Sequence, residues 1–514
     1  MWQRNVLLTS NIFKIVVIKH CLYYVCVLLS CACVVANAQE KENALLNGLN
    51  LNLESSTVVS NGDFAPFWLS SNRYGLTSVE ANSNYERISL FRHYSNDSLR
   101  TWKIGYGLDV AIGVNSNYDY IVQQAYADVV YKKIKLTVGA KQHPIDLRNN
   151  RLTSGGLGIG INAHPVPQVR IEADYFSMPG TNQWWKIRFR GSYGMTTDGR
   201  WQEDFHAAKS RYTTNTLYHE KALYWKFGKE NKFPMTFEIG LQMATQFGGT
   251  TYNVTGRGFD GLHTMEHSQG LQAFWDATFA SGSDATDGVD KNTAGNHFGS
   301  YNMALEYKAE KWGARAYFER TFDDQSMLTV QYGIYDHLLG LEVNLPKNRL
   351  VSSVVLEHIS TTDQSGAVYH DKTVNLPDKM NGRDDYYNHL LYTGNQHWGM
   401  TMGNPLLTSP IYNSNKHIYF YNNRVKAWHL GFSGKPTSEI AYRALLTFTR
   451  NWGTYKFPFD DILRQNYMMA EVTYSPKRLK GVSATLGCAY DDGNVLGNSF
   501  GGQFTLRKTF NFFK

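Results

Sequence analysis

Four short patterns in this chain carry residue types that do chemistry in other settings. His263-Thr-Met-Glu-His267 spells H-x-x-E-H, which on a helix puts two zinc ligands and a general base on one face. No third ligand is identifiable beside it, and the competing reading is a loop segment with two solvated histidines. Gly497-Asn-Ser499-Phe-Gly501 spells G-x-S-x-G, a nucleophile elbow only where a strand turns into a helix. Here it enters a strand from a hairpin, so its glycines are expected to serve the turn. Gly256-Arg-Gly-Phe-Asp-Gly261 has the glycines of a dinucleotide loop but not the βαβ context that gives them that role. Asp284, Asp287 and Asp290 around Gly288 lack the ligand spacing of a calcium loop and read as an acidic loop tip. No catalytic residue, metal or cofactor is expected from these patterns.

Two other groups point to binding. Tyr386, Tyr387, Asn388, His389, Tyr392, Gln396, His397, Trp398 and Asn404 crowd into one stretch. Aromatic rings stack on the apolar C–H faces of sugars, and amides and imidazoles meet their hydroxyls. The alternative is that the stretch folds inward as an aromatic plug, and the two readings are compatible. Trp452 and Tyr455 are secondary candidates of the same kind. Lys186, Arg188 and Arg190 alternate with Ile187 and Phe189, so all three cations share one strand face. Three adjacent cations are costly unless paired or facing anions. The expectation is either a salt-bridge network with Glu172, Asp174 and Glu238 or a stripe that attracts an acidic glycan.

The elements that must position these residues are strands. The 514 residues include 12 Trp, 33 Tyr, 27 Phe and 44 Gly, while the mean hydropathy is −0.40. Beyond the N-terminus no apolar run reaches the ~20 residues of a membrane helix, and the aromatic load argues against disorder. Period-two alternation recurs instead. Ile104, Tyr106, Leu108, Val110, Ile112 and Val114 alternate with Gly105, Gly107, Asp109, Ala111 and Gly113, one face apolar and the other polar. Strands are expected near 85–94, 101–114, 121–132, 134–142, 168–177, 184–195, 217–228, 234–247, 299–310 and 312–322. More follow near 338–345, 350–361, 425–433, 438–450, 465–475, 481–490 and 500–513.

Their length exceeds that of ordinary globular strands and suits a tilted membrane crossing. Connectors alternate between short turns and long segments at 143–167, 196–216, 248–298, 323–337, 362–424, 451–464 and 491–499. That is the plan of an outer-membrane barrel, with short turns in the periplasm and long loops outside. Parity requires one more ascending strand within 50–60, giving 18 in all, an even number that closes without edges. The last strand ends in alternating Phe504, Leu506, Phe510 and Phe512, with Lys514 after the terminal Phe513.

The first 38 residues read as a secretory leader: Arg4, Lys14 and Lys19 precede an apolar core, and Ala36-Asn-Ala38 offers a cleavage site. The rival is lipid attachment at Cys31, which the bulky Leu29 fits poorly. Residues 39–49 form a short polar periplasmic segment, and 50–514 form the barrel with its loops. Loss of three cations with the leader lowers the net charge from +7 to +4, which gives nucleic-acid binding no support. Of the five cysteines only Cys488 stays, so no internal disulfide or cysteine metal site is available.

Several stretches resemble the Wzi family of outer-membrane capsule-assembly proteins, in the form common in Bacteroidota. They are Phe64-Ala-Pro-Phe-Trp68 through Gly75, Ser154-Gly-Gly-Leu-Gly-Ile-Gly160, Asn162-Ala-His-Pro-Val-Pro167, Tyr386–Gly394 running into His397–Pro405, and Asn422–Gly434. The resemblance implies an 18-stranded barrel with a lectin-like role, binding capsular or other surface polysaccharide, embedded in outer-membrane lipid and inserted by the barrel-assembly machinery. It also implies a helical bundle at the periplasmic end, for which 39–49 leaves no comparable length. Two rivals are a channel or porin with a conducting lumen, and an outer-membrane lipid- or glycan-modifying enzyme using Ser499 or His263.

Overall fold

The computed structural model describes residues 46–256, 259–281, 294–323, 335–364, 369–373, 376–381 and 384–512. The leader, most of 39–49 and the aspartates at 284, 287 and 290 lie outside the described residues. The barrel strands are β1 (Leu49–Phe64), β2 (Glu80–Arg92), β3 (Trp102–Val114), β4 (Tyr120–Tyr131), β5 (Ile134–Ala140) and β6 (Gln168–Ser177). They continue as β7 (Trp185–Met195), β8 (Leu217–Phe227), β9 (Met235–Phe247), β10 (Asn296–Lys308), β11 (Gly313–Phe322) and β12 (His337–Asn344). The last are β13 (Ser353–Ser360), β14 (Val425–Gly434), β15 (Ile440–Gly453), β16 (Pro458–Tyr474), β17 (Val482–Gly493) and β18 (Ser499–Asn511).

Every strand is antiparallel to both neighbours, and β1 pairs with β2 on one side and β18 on the other, so the 18 strands close. Alternation then sorts the side chains. On β3, Ile104, Leu108 and Ile112 are exposed on the outside while Asp109 and Ala111 are buried in the lumen. The same holds for Ile134, Leu136 and Val138 against Thr137 on β5. An apolar belt outside, a polar interior, and connectors short at one end and long at the other make this an integral outer-membrane barrel. The long connectors are extracellular, and both ends of the barrel sequence lie at the periplasmic side.

The structure differs from the sequence expectation at 451–464. That segment is not a loop: β15 and β16 run on through it, Asn451 opposite Leu463 and, past an irregularity in the register, Gly453 opposite Pro458, so that only 454–457 turn. Gly453 at φ +73 and the Thr454 hydroxyl, which accepts the Phe457 N–H at 2.8 Å, make the tight turn. The polar residues Asp460 and Asp461 suggested a loop, but a strand projecting beyond lipid is wet on its outer face and tolerates them. The 248–298 connector also holds structure of its own: a hairpin of Thr250–Gly256 with Phe259–Glu266, and a helix Leu271–Phe279.

Three extracellular connectors pack into the lumen: 65–79, 141–167 and, among its described residues, the one between β13 and β14. Two glutamates of the wall, Glu319 on β11 and Glu357 on β13, are fully buried and hold the second of these. Glu319 accepts from the Arg148 guanidinium at 2.8 Å, from the N–H groups of Leu157 and Gly158 at 2.9 Å each, and from Ser300 Oγ at 2.7 Å. Glu357 accepts from Ser154 N–H at 2.8 Å, from both hydroxyls of Thr153 and Ser154 at 2.5 Å, and from Tyr317 at 2.6 Å. The glycines of Ser154–Gly160 allow this approach. A Cβ on Gly158 would meet Ser300 Oγ at 2.6 Å, and one on Gly160 would meet the Gly403 carbonyl at 2.3 Å.

The first connector docks through Phe67 and Trp68, which are buried against Tyr467 and His429 of the wall, with Trp68 Nε1–H donating to Thr447 Oγ1 at 3.1 Å. The start of the third connector is fastened by Asp336. Its carboxylate accepts the N–H groups of Asp363 at 2.9 Å and Gln364 at 2.6 Å, and burial pushes it up to about 6.

Two outcomes test this packing. Glu319→Ala strands a buried guanidinium and two N–H groups, and should lower barrel stability by about 3–5 kcal/mol in denaturant titrations of the detergent-solubilised protein. Asp336 titrates higher in the folded protein than in the unfolded chain. Its contribution is therefore greatest below about pH 4 and falls, by up to about 3 kcal/mol, as pH rises through about 6. Hydrogen exchange at Asp363 and Gln364 should accelerate across that window, and Asp336→Asn should flatten the change.

Candidate functional site

The third connector is two-sided. Tyr419-Phe420-Tyr421 alternates like a strand: Phe420 is fully buried, while Tyr419 and Tyr421 are half-buried and face an extracellular cavity of about 510 Å³. Asn388 fixes this segment from both sides. Its amide donates to the Phe420 carbonyl at 3.0 Å and accepts the Phe420 N–H at 2.9 Å. Asp385 is the hub beneath, accepting from the Tyr419 hydroxyl, from Asn388 at 2.9 Å and from Asn423 at 2.6 Å. Burial holds its carboxyl above the usual range, and burial together with this neighbouring carboxylate raises Tyr419.

Phe457, from the β15–β16 turn, completes an aromatic group. Its ring centroid is 5.6 Å from those of both Tyr419 and Tyr421, which are 4.9 Å from each other. Polar groups complement the rings on the same cavity wall. His389 Nδ1 accepts the N–H groups of Leu391 at 3.1 Å and Tyr392 at 3.3 Å. Burial lowers this imidazole to about 3, so it is neutral with its proton on Nε2. Arg211, from the connector between β7 and β8, donates to the Leu390 carbonyl, and its Nε has no hydrogen-bond partner among the described residues. Burial lowers it to about 10, so it stays cationic at neutral pH. Stacking surface, hydrogen-bond donors and acceptors, and one under-used cation thus meet in a single open cavity.

The residues singled out from sequence are divided by the structure. Asn388 and His389 line the cavity. Tyr386, Tyr387, Tyr392 and Asn404 are at most 2% exposed and belong to the packing beneath it. Tyr387 donates to the Leu157 carbonyl and accepts the Asn404 N–H at 3.0 Å, tying the third connector to the second. Tyr392 stacks on His267 at 4.7 Å. Trp398 is half-buried at φ +55, its indole N–H bonded to Thr197 Oγ1 at 3.2 Å. Tyr455 lies in the hairpin turn under Arg424, whose guanidinium is 3.9 Å from the ring centre, and bonds the Thr362 carbonyl. Trp452 is on β15 and faces outward, away from the cavity. Tyr419, Tyr421, Phe457 and Arg211 were not singled out, although the period-two spacing of Tyr419 and Tyr421 marks them as one face.

Two of the three cations of the lumen stripe are neutralised by carboxylates. Arg188 and Arg190 both bind Asp146, the former at 2.7 Å, and Arg190 also pairs with Glu220 at 2.8 Å. Lys186 stands opposite Lys226 on β8. The partners differ from those expected from sequence: Glu172 serves Lys135 and Arg170, and Glu238 serves Lys226. Asp146 comes from the second connector, so these ion pairs also seat the plug.

The enzyme-like patterns lack their required settings. His263-x-x-Glu-His267 lies along a strand and just past its end, not on a helix. Ser499 opens β18, buried, with its hydroxyl donating to the Phe64 carbonyl at 2.8 Å.

No protein-family model matches the chain, and no curated relative matches it. Solved outer-membrane barrels do. Wzi of Escherichia coli, an outer-membrane protein involved in group 1 capsule assembly and described as a carbohydrate-binding β-barrel, is similar with a TM-score of 0.55. The pair is 13% identical over 90% of this chain and 85% of that one. OccAB2 of Acinetobacter baumannii has a TM-score of 0.46 at 10% identity, over 92% of this chain and all of the other. OprD of Pseudomonas aeruginosa has 0.43 at 9%, over 91% and 94%. Identities this low speak to the fold alone, and the fold in common with Wzi is that of an integral outer-membrane β-barrel.

Proposed function

We propose that this barrel binds a surface polysaccharide at its extracellular cavity and takes part in attaching or assembling a capsule, without turning the glycan over. One observation carries the reading: Tyr419, Tyr421 and Phe457 cluster with Asn388, His389 and Arg211 around an open cavity, above connectors packed into the lumen. Sugar rings present C–H faces to the aromatics and hydroxyls to the amide and imidazole, and Arg211 suits an acidic substituent. The rigid plug below supports a pre-organised site, which lowers the ordering cost of binding. The carbohydrate binding of the similar Wzi barrel agrees with this assignment. Within it, 1–38 directs export, 39–49 stays in the periplasm, and the barrel-assembly machinery inserts the rest.

In polysaccharide-binding assays with the purified barrel, Tyr421→Ala and Phe457→Ala should each weaken binding by about tenfold, the worth of one lost stacking contact of ~1.4 kcal/mol. Trp452→Ala, on the outer surface, should change it little. Cells carrying the double cavity variant should shed polysaccharide that wild-type cells retain. A steadily open pore of nanosiemens scale in planar bilayers would favour a channel instead, and unchanged retention in the double variant would sink the binding site.

A further inference from the structure

Arg188 and Arg190 of the lumen stripe face carboxylates, but another group of cations points out of the barrel. On β14, β15 and β16 the even-numbered residues point outward: Trp428 and Phe448 are 55% and 47% exposed, while His429 and Thr447 are fully buried. Register sets Lys426 opposite Arg450, and Arg450 opposite Arg464. All three are exposed. Adjacent strands are ~4.8 Å apart, so three positive charges fall within ~10 Å along the rim. Like charges directly opposite one another destabilise a sheet. The inward-facing Arg443 of β15 is relieved by Glu471 at 3.0 Å. The outward row has no ion pair among the described residues. The acidic residues nearest in sequence register are Asp492, opposite Asn466 on the next strand, and Asp460 and Asp461 farther up β16.

The row occupies a defined level. Lys426 follows directly on the extracellular connector, Arg450 is near the top of β15, and Arg464 lies one turn-length below the hairpin tip. Trp452 stands above it, with Lys426 Nζ 5.9 Å from its ring centre. Immediately below come His358, Trp428 and Phe448 in register, the first two 4.7 Å apart between ring centres. Leu356, Leu430 and Leu446 form the next row down. Aromatics mark the membrane–water interface, and cations at that level attract anionic headgroups.

We propose that Lys426, Arg450 and Arg464 form a docking site for a phosphate-bearing lipid of the outer leaflet. Its phosphates lie on the cation row and its acyl chains run down the Trp428–Phe448 and leucine surface. A soluble anion would use the charges but not the apolar surface that continues from them. None of these residues lines the extracellular cavity, so the site stands or falls separately from glycan binding.

Native mass spectrometry of the full barrel tests this, with lipid A carrying two phosphates, lipid A carrying one, and a neutral lipid with matching chains. The wild type should bind the bisphosphate form best and the neutral lipid least, and millimolar inorganic phosphate should not displace it. The triple variant Lys426→Gln, Arg450→Gln, Arg464→Gln should lose about tenfold or more in affinity. A control with Lys435, Lys477 and Arg478 of the periplasmic turns changed to Gln should bind as wild type. If the first triple variant fails to assemble, Arg450→Gln should weaken binding and Arg450→Lys restore it. Equal binding of the neutral lipid, equal loss in the control, or no loss in the outward variants would overturn the proposal.

Discussion

The plug depends on carboxylates in the wall of the barrel. Glu319 and Glu357 point from β11 and β13 into the lumen and are fully buried, and an unpaired buried charge there would be prohibitive. Each is answered by the connector it holds: N–H groups, hydroxyls and, for Glu319, a guanidinium. The arrangement works only because Ser154–Gly160 has almost no side chains in the way, so backbone can approach the wall directly. A barrel of this width closed by lipid-facing alternation alone would leave a polar channel. Here wall residues of the polar inner face, Glu319, Glu357 and Arg190 among them, bind connectors.

A second set of lumen charges follows the same rule of local neutrality. Lys135, Glu172, Arg170, Glu220, Arg190, Asp146 and Arg188 form an unbroken chain of opposite-charge contacts across β5 to β8. Removing any member would leave a partner half-satisfied in a low-dielectric interior. Because Asp146 belongs to a connector and the others to the wall, the network joins loop to barrel. The outward row on β14–β16 breaks this rule, which is why an external counter-charge is the economical explanation for it.

Barrel architecture was legible because alternation is a local signal: each strand announces itself within about ten residues, and connector lengths give the side. The hairpin within 451–464 carries no such signal because, outside the membrane, a strand no longer needs an apolar face. The plug was harder. Leu157 meets Glu319 and Ser154 meets Glu357 across separations of 162 and 203 residues, and no short-range pattern encodes such a partnership. For the same reason the aromatic stretch around Tyr386–Asn404 could be seen as aromatic but not sorted into buried and accessible members. That sorting is set by Asp385, Asn388 and Asn423, whose amide and carboxylate bonds turn one face of the connector inward.

A connector that is both plug and binding surface faces a conflict between the two roles, since a plug favours burying every ring. The structure resolves it by period. Between Ile418 and Asn422 the even positions are buried and the odd ones, Tyr419 and Tyr421, reach the cavity. Phe420 carries the packing and its backbone carries the Asn388 bonds, while the half-buried rings are anchored at their hydroxyls, Tyr419 on Asp385 and Tyr421 by Asn415. Rings held by a buried neighbour are pre-organised without being covered, which is the physical requirement for stacking on a flat ligand. The same logic explains why Tyr386 and Tyr387, on the partner segment, are spent on structure: they supply the floor on which the accessible pair stands.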